Sequence, residues 1–544
     1  MPLGRSRIDI KNVPARGRSL PSQQFNVLAI EGVFNWGPMN VATTVVDYTD
    51  AYKLFGDLLS SYHSLLQLKL FFEGGGKRAV VTRICHVAAH AISSTPATAA
   101  KASYTFPTAA GGTYSAQDAL TVTALYYGTM TVKAKVQDAS NAVAGNFDLL
   151  IYRNTELVEW HRNLSMLDTD DRYVEDIVNT SSAKSEYVVV EDLALGGAGG
   201  LAVDERPAST ALPQTLTGGD NGLTSLDNAD WLGAATFNTG LYAFNLVADG
   251  DLLIIPDNVT TEHQGRATTY CEDTKQGKML FVPDIPAGTL TKAGVYAHVS
   301  ALTASESRAG MLWPRVKISN PDKVIFGKAA QITVCPSGMY CARIAKNSEN
   351  EETSYFTQPG NEIYGLLDAA VDIETDIVLE PTVQDYVTDY KVNPIVKGIR
   401  GIDGSFGVWV NDVQLSKTSD NFVSVGEAHG ISYLRKIFEV YLQRHRTQGN
   451  SQDRRYTIED ALTAELVKWT GRGCFATKSV QDAFYVNADP LGQSLNNAVV
   501  QDEQQLKVLV GIATARPARF VELLFTRDSR AIESWVQQQV SANA

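Results

Sequence analysis

Between residues 25 and 84 the chain runs strand, helix, helix, glycine, strand, and this order constrains the fold more than any other feature. Residues 25–33 read as a strand, and Tyr48–Phe55 fits a helix. Residues 62–72 fit a second helix, with Leu65, Leu66, Leu68, Phe71 and Phe72 apolar. Gly74, Gly75 and Gly76 follow, and glycine closes helices because it lacks the Cβ that blocks left-handed backbone. Residues 79–84 then read as a buried strand. Such alternation indicates helices layered on a sheet. The pattern returns later in the chain. Residues 230–234 and 260–273 fit helices, while 252–255 and 279–282 fit buried strands closed by Pro256 and Pro283. These segments define an α/β core unit over 25–87 plus 214–345.

The intervening residues 88–213 differ in character. They are rich in Ala, Thr and Ser, with strand patterns at 120–125, 130–136, 147–152 and 187–190 and one helix near 173–178. The first two strands are joined at Tyr127-Gly128. This is expected to be a β-rich insertion on the surface. Residues 346–390 read as acidic loops and a linker. Residues 391–526 read as a C-terminal α+β unit, with helices at 432–446 and 458–470 and an antiparallel strand pair at 506–514 and 519–526. The expected class is therefore α+β multidomain: an α/β core layer, a β-rich insertion, an α+β C-terminal domain and extended terminal arms.

The arms are residues 1–24 and 527–544. In the first, Arg7-Ile8-Asp9-Ile10-Lys11 alternates strictly, which places Ile8 and Ile10 on one face of a strand. A lone strand leaves its backbone groups unpaired and must join an edge, which can belong to another chain. The second arm is ambiguous. Ile532, Trp535, Val536 and Val540 have helical spacing.

Charge distribution supports contact between copies. The net charge of −13 argues against general nucleic-acid binding. Residues 346–390 carry eleven acids and one Lys, whereas residues 1–25 and 428–455 each have a net charge of +4. One acidic and two basic stretches allow self-attraction, although patchy surface charge alone is the plainer explanation. No run of ~18 apolar residues occurs, so no transmembrane helix and no direct membrane insertion are expected. The start, Met1 to Arg5, lacks the apolar stretch of a signal peptide, and synthesis and assembly in a cytoplasm are expected. The five cysteines, Cys85, Cys271, Cys335, Cys341 and Cys474, are odd in number and are expected to be reduced and structural.

Chemistry-bearing motifs are sparse. There is no Walker A loop, no dinucleotide fingerprint and no Gly-x-Ser-x-Gly elbow. Residues 196–200 read as a flexible glycine loop, and residues 218–222 as a turn. His86 and His90 have i,i+4 spacing, but no Glu follows the first and no helix is predicted there. Glu262-His263 has no third member. Asp168, Asp170 and Asp171 precede a helix, whose N-terminus favours acids. No catalytic residue, metal ligand or cofactor site is assigned. An α/β ligand-binding enzyme remains a distant alternative.

Several segments in fixed order resemble contractile tail sheath proteins of myophages and related injection machines. They are Gly32-Val33-Phe34-Asn35-Trp36-Gly37-Pro38, Phe55-Gly56-Asp57, and Phe71-Phe72-Glu73-Gly74-Gly75. Next come Val158-Glu159 with Asn163-Leu164-Ser165, and Tyr173-Val174-Glu175 up to Asn179. Gly218-Gly219-Asp220-Asn221-Gly222 stands ahead of Leu253-Ile254-Ile255-Pro256 and Phe281-Val282-Pro283-Asp284. Trp313-Pro314-Arg315 and Pro336-Ser337-Gly338 up to Arg343 follow, and Gly511-Ile512-Ala513 with Pro517-Ala518-Arg519 closes the series. The pattern departs from the family near Trp409 and in Gly426-Glu427-Ala428-His429-Gly430.

The resemblance implies a structural homo-oligomer of hexameric rings stacked helically around an inner tail tube. The implied partners are the tube, baseplate and tail terminator proteins, in a virion tail assembled in a bacterial cytoplasm. It implies that the arms cross between subunits, with Arg7, Ile8, Ile10, Lys11, Ile532, Trp535 and Val536 as contact residues. It also implies an inner C-terminal domain. There Arg435, Lys436, Arg444, Arg446, Arg454 and Arg455 are candidate tube contacts, the alternative being a solvated helix face. A sheath from a tailocin or another non-phage injection system is the close alternative.

Overall fold

The structure is a computed structural model. It describes residues 25–87, 99–110, 113–195, 205–224, 226–247, 250–302, 309–349, 353–415 and 424–518. Its centre is a five-stranded sheet in the order Leu280–Phe281, Leu252–Ile254, Leu28–Gly32, Ala79–Arg83, Thr43–Val45. The first four strands are parallel and the last is antiparallel. Side chains alternate across the sheet. Leu28, Ile30, Val81, Leu252 and Ile254 enter one core with the helix Ser64–Glu73. Val27, Ala29, Val80, Leu253 and Phe281 enter another, with Trp231, Phe244, Ala267 and Tyr270. A sheet buried on both faces explains why its strands read as unbroken apolar runs.

Most predicted core elements occur within a few residues of their expected places. The 62–72 helix spans Ser64–Glu73, and the 260–273 helix is Thr261–Thr269 continued by a π-helix at Tyr270–Thr274. Among the described residues no helix is long and apolar enough to cross a membrane.

The insertion contains two antiparallel sheets around a third core. One has the order Gln214–Thr215, Val132–Asp138, Phe147–Arg153, Glu156–Leu164; the other is Ser103–Pro107, Asp118–Ala124, Val188–Asp192. Tyr127-Gly128 therefore carries the chain from one sheet to the other. Gly128 has φ 156°, and a Cβ there would lie 2.2 Å from the Asn35 carbonyl oxygen, so only glycine fits. Strand Glu156–Leu164 went unpredicted because its exposed positions mix Glu156, Leu157, Trp160 and Arg162, which breaks the alternation.

Two expectations need correction. Residues 346–390 are not loops and a linker. Ala370–Ile373 pairs with Val316–Ser319, and Pro381–Asp389 is a helix with Pro381 in its first turn. Leu367, Ile373, Val378, Val383 and Val387 are buried in the central core. Exposed Glu380, Asp385 and Asp389, on helix Pro381–Asp389 and at its N-cap, mask the i,i+4 apolar pair Val383 and Val387 in the composition. Nor do residues 393–415 stand with the C-terminal helices. Asn393–Ile399 and Phe406–Val410 form a sheet with Leu312–Trp313, and Ile395, Val408, Val410 and Leu415 join the central core.

The C-terminal core is built by helices Val425–Gln443 and Gln452–Gly471 and the strand pair Phe484–Asn487 and Leu509–Ile512. The expected partner of 506–514, residues 519–526, lies outside the described residues, and the observed partner is Phe484–Asn487. The first helix starts well before residue 432. Ser424 caps it, its side chain accepting from Glu427 N. Gly426 and Gly430 obscured that start in the sequence.

Candidate functional site

The described chain begins in a joint between the central sheet and the C-terminal helices. The Phe25 ring packs against Tyr355, His429 and Tyr433, with centroids 5.3, 5.0 and 5.2 Å away. Asn26 Oδ1 lies 2.8 Å from His429 Nε2, and Val27 N donates to Asp251 Oδ2 at 2.9 Å. Lys436 Nζ meets the other oxygen of Asp251 at 3.0 Å and lies 5.6 Å from the Phe25 ring. Burial holds the His429 imidazole neutral, with a pKa lowered to about 4.

This geometry removes two of the six predicted tube contacts. Lys436 is only 8 % exposed, because its ammonium is committed to Asp251 inside the joint. Arg455 is 5 % exposed and donates to Asn450 Oδ1 at 2.9 Å and to Pro490 O at 3.0 Å. Its guanidinium ties the turn between the two helices to the loop after strand Phe484–Asn487. Both stood in a basic run, and sequence alone does not reveal which members of a run turn inward. Arg435 is exposed and donates to Gln276 O at 3.1 Å. Arg444 and Arg446 are exposed where the first helix ends, and Arg454 is half-buried nearby. The predicted arm residues Arg7, Ile8, Ile10, Lys11, Ile532, Trp535 and Val536 lie outside the described residues, as do His90 and residues 196–200.

The strand pair Phe484–Asn487 and Leu509–Ile512 is a two-stranded sheet. Phe484, Val486, Val510 and Ile512 pack on the C-terminal core, while Tyr485 and Leu509 face outward. Beside it a cleft of about 690 Å³ is lined by Gln358, Asn361, Asp385, Asp412, Glu427 and Arg516 among others. Thr514 Oγ1 donates to Glu427 Oε1 at its wall.

Groups capable of chemistry serve as structure. Asp257 accepts from Val33 N at 3.2 Å, His63 N at 2.7 Å and the Ser64 hydroxyl. Ser64 is fully buried and bonds the carboxylate, not the His63 ring, so no nucleophile–base pair forms. His263 Nε2 lies 2.9 Å from Glu31 Oε2, both fully buried. Burial raises the Glu31 pKa, opposed by His263. His86, Asp227 and Asp230 come together, but Asp227 and Asp230 form a helix capping box, and Asp230 also accepts from Val87 N. The five cysteines are buried and unpaired with one another.

The residue that sequence reading missed most plainly is Arg83. It is fully buried and donates to Phe34 O at 3.2 Å, Gly37 O at 2.8 Å and Tyr127 O at 2.6 Å, with Asn221 O at 3.4 Å. One guanidinium thus binds the turn before Pro38, the crossing of the insertion and the 218–222 turn. A second tie joins Arg153 to Asp57 at 3.0 Å, the guanidinium lying 3.7 Å over the Tyr52 ring. The signal for Arg83 was present: an arginine inside a buried strand needs several acceptors.

No protein-family model and no curated protein matches the sequence. Solved structures do match along its length. The contracted PVC sheath complex of an extracellular contractile injection system is 14 % identical, with a TM-score of 0.53, covering 98 % of this chain and 99 % of that one. The contracted helical sheath of the anti-feeding prophage is 14 % identical, with a TM-score of 0.54 and coverage of 96 % and 99 %. A sheath tail protein from Listeria innocua is 15 % identical, with a TM-score of 0.55 and coverage of 86 % and 90 %. The chain has the fold of contractile sheath proteins.

Proposed function

We propose that this protein is the structural subunit of a contractile sheath. It polymerises around an inner tube and contracts to drive that tube through an envelope. The observation that carries the reading is end-to-end likeness to a contracted sheath, over 98 % of this chain and 99 % of that one. The chemistry agrees with a role that is structural and not enzymatic, since the Ser, His and Asp groups described above are bound into caps and buried pairs. Copies stack as hexameric rings, and baseplate and terminator proteins cap the polymer. The basic segment 1–24 adds a strand to a neighbour. The edge it joins is the exposed pair Phe484–Asn487 and Leu509–Ile512, where main-chain bonds give affinity and Ile8 and Ile10 fill pockets. The C-terminal arm takes part in the same exchange.

Contact between copies supplies the work. If contraction buries ~200 Å² more apolar surface per subunit, each gains roughly 5 kcal/mol at ~25 cal/mol per Å². The extended state is then kinetically trapped, and no nucleotide is required. Exposed Arg444 and Arg446, with Arg454, meet the tube through screened charge pairs of about 0–1 kcal/mol each, weak enough to release.

A second reading, a sheath of a non-phage injection machine, is supported by the 98 % coverage against the sheath of an extracellular contractile injection system. Electron microscopy of the purified protein tests the common core. Rings or tubes forming without cofactor are expected. A monomer at all concentrations, with turnover of a small ligand, would overturn it. The neighbouring genes separate phage tail from injection machine.

A further inference from the structure

Helix Lys292–Ser300 buries only Val295, yet five of its nine residues are Ala, Val or Tyr. A helix with apolar side chains on all sides is normally enclosed. Here Ala293, Ala297 and Tyr296 face outward, Tyr296 at 43 % exposure and the preceding Leu290 at 47 %. Tyr296 continues into a tyrosine row on helix Pro381–Asp389 and its C-cap. Its ring lies 4.8 Å from Tyr390, which lies 5.0 Å from Tyr386. Exposed Glu380, Asp385 and Asp389 stand on the same helix and at its N-cap. The face is aromatic, alanine-smooth and bordered by negative charge. Lys292 already lies 5.1 Å over the Tyr386 ring, so the face accepts ammonium groups.

The complementary element is on the same chain. The loop between Val316–Ser319 and Gln331–Val334 carries Val324, at 93 % the most exposed large apolar side chain described. Lys323 and Lys328 flank it, both exposed. The loop is rigid by construction. Asp322 Oδ1 accepts from Val324 N at 2.8 Å and Ile325 N at 3.2 Å. Asn320 Nδ2 donates to Gly327 O at 2.8 Å and Ala329 O at 2.9 Å. Phe326 roots the loop against His63, with centroids 6.0 Å apart. A pre-ordered prong loses little entropy on binding.

We propose that the Lys323–Val324–Lys328 prong of one copy docks on the tyrosine and alanine face of a second copy. Val324 covers Ala293 and Ala297, and the lysines meet the tyrosine rings and Asp385 and Asp389. Because prong and face are different surfaces, the contact is heterologous and propagates into rings or helices instead of closing a dimer. This rests on the sheath reading and names one interface of that polymer.

The test uses full-length protein carrying Val324→Cys and Ala293→Cys. The native cysteines are buried and do not compete. Mild oxidation of assembled protein is expected to give a ladder of covalent dimers, trimers and larger species, absent from either single variant. Lys323→Glu with Lys328→Glu is expected to cut polymer yield by at least about tenfold, the order lost when interface charges are left facing like charges. Adding Asp385→Lys and Asp389→Lys should restore it. Normal tubes that give no ladder, or normal tubes from the charge-reversed prong, overturn the interface and leave the sheath reading standing. If the native protein forms no polymer, the sheath reading fails. The pair is then decided by whether the two-cysteine protein cross-links as dimers at high concentration.

Discussion

Arg83 shows how much one side chain carries in this fold. Its guanidinium is held by backbone carbonyls of three separate segments. Burial opposes its charge, and the carbonyls offset that penalty. Arg83→Ala leaves buried carbonyls unmet and should cost about 3–5 kcal/mol in chemical denaturation. Arg83→Lys should recover only part, since an ammonium cannot span the same fork of acceptors. Asp284 makes a second residue-scale case. It is buried against Ser337, Cys335 and Arg315, and burial raises its pKa to about 6 from 3.8. A carboxyl whose folded pKa is raised contributes stability fully below its unfolded pKa and loses it as pH rises through about 6. Asp284→Asn should therefore stabilise the protein at pH 7.5 by up to about 3 kcal/mol, with the gain shrinking between pH 6 and 4. Thermal melts of both proteins across that range read it directly. An equal difference at every pH would refute the assignment.

At the scale of elements, helix Val425–Gln443 depends on glycines that look unhelical in the sequence. A Cβ at Gly430 would lie 2.4 Å from the Phe356 ring, so the helix approaches that ring only because glycine is there. Gly430→Val should cost about 1–3 kcal/mol by overpacking despite its better intrinsic helix propensity. Urea denaturation checks the sign, which propensity alone would give as stabilising. The N-terminal segment is argued at the same scale. Its root is fixed by Phe25, Asn26 and Val27 in the joint with His429, Lys436 and Asp251, and those contacts do not involve residues 1–20. Deleting residues 1–20 should leave the thermal melt of the monomer within a few degrees and abolish continuous polymer in electron micrographs. Unimpaired tubes from the deletion would rule out strand exchange by this arm.

For the whole molecule, one chain presents an acidic tyrosine face, a lysine-flanked prong and exposed arginines at the end of a C-terminal helix. Under the proposed function, such a subunit would bind copies of itself by one set of surfaces and a tube by another. Arg444→Glu with Arg446→Glu should impair assembly on tubes while leaving the melt unchanged, because neither side chain is buried. Assembly should also weaken with salt, since exposed pairs are screened beyond ~8 Å at physiological ionic strength. Light scattering in rising salt measures this, and a salt-independent polymer would assign the contacts to apolar burial alone.

The periodicity of the sequence determined the central layer. Strands Leu28–Gly32, Ala79–Arg83 and Leu252–Ile254 and the helices between them were legible because burial on both sheet faces leaves an unbroken apolar signature. Their order also carried the family likeness. What remained hidden depends on partners distant in sequence. Strand Ala370–Ile373 sits in a run read as loop, because acids at its surface outweigh the few apolar positions its core contact requires. Lys436 and Arg455 looked equivalent to Arg444 and Arg446, since a basic run does not state which side chains meet Asp251 or Pro490 after folding. Local pattern fixes what a segment can bury. Only the tertiary arrangement supplies the acceptor that decides whether a particular charge turns inward or stays available to another chain.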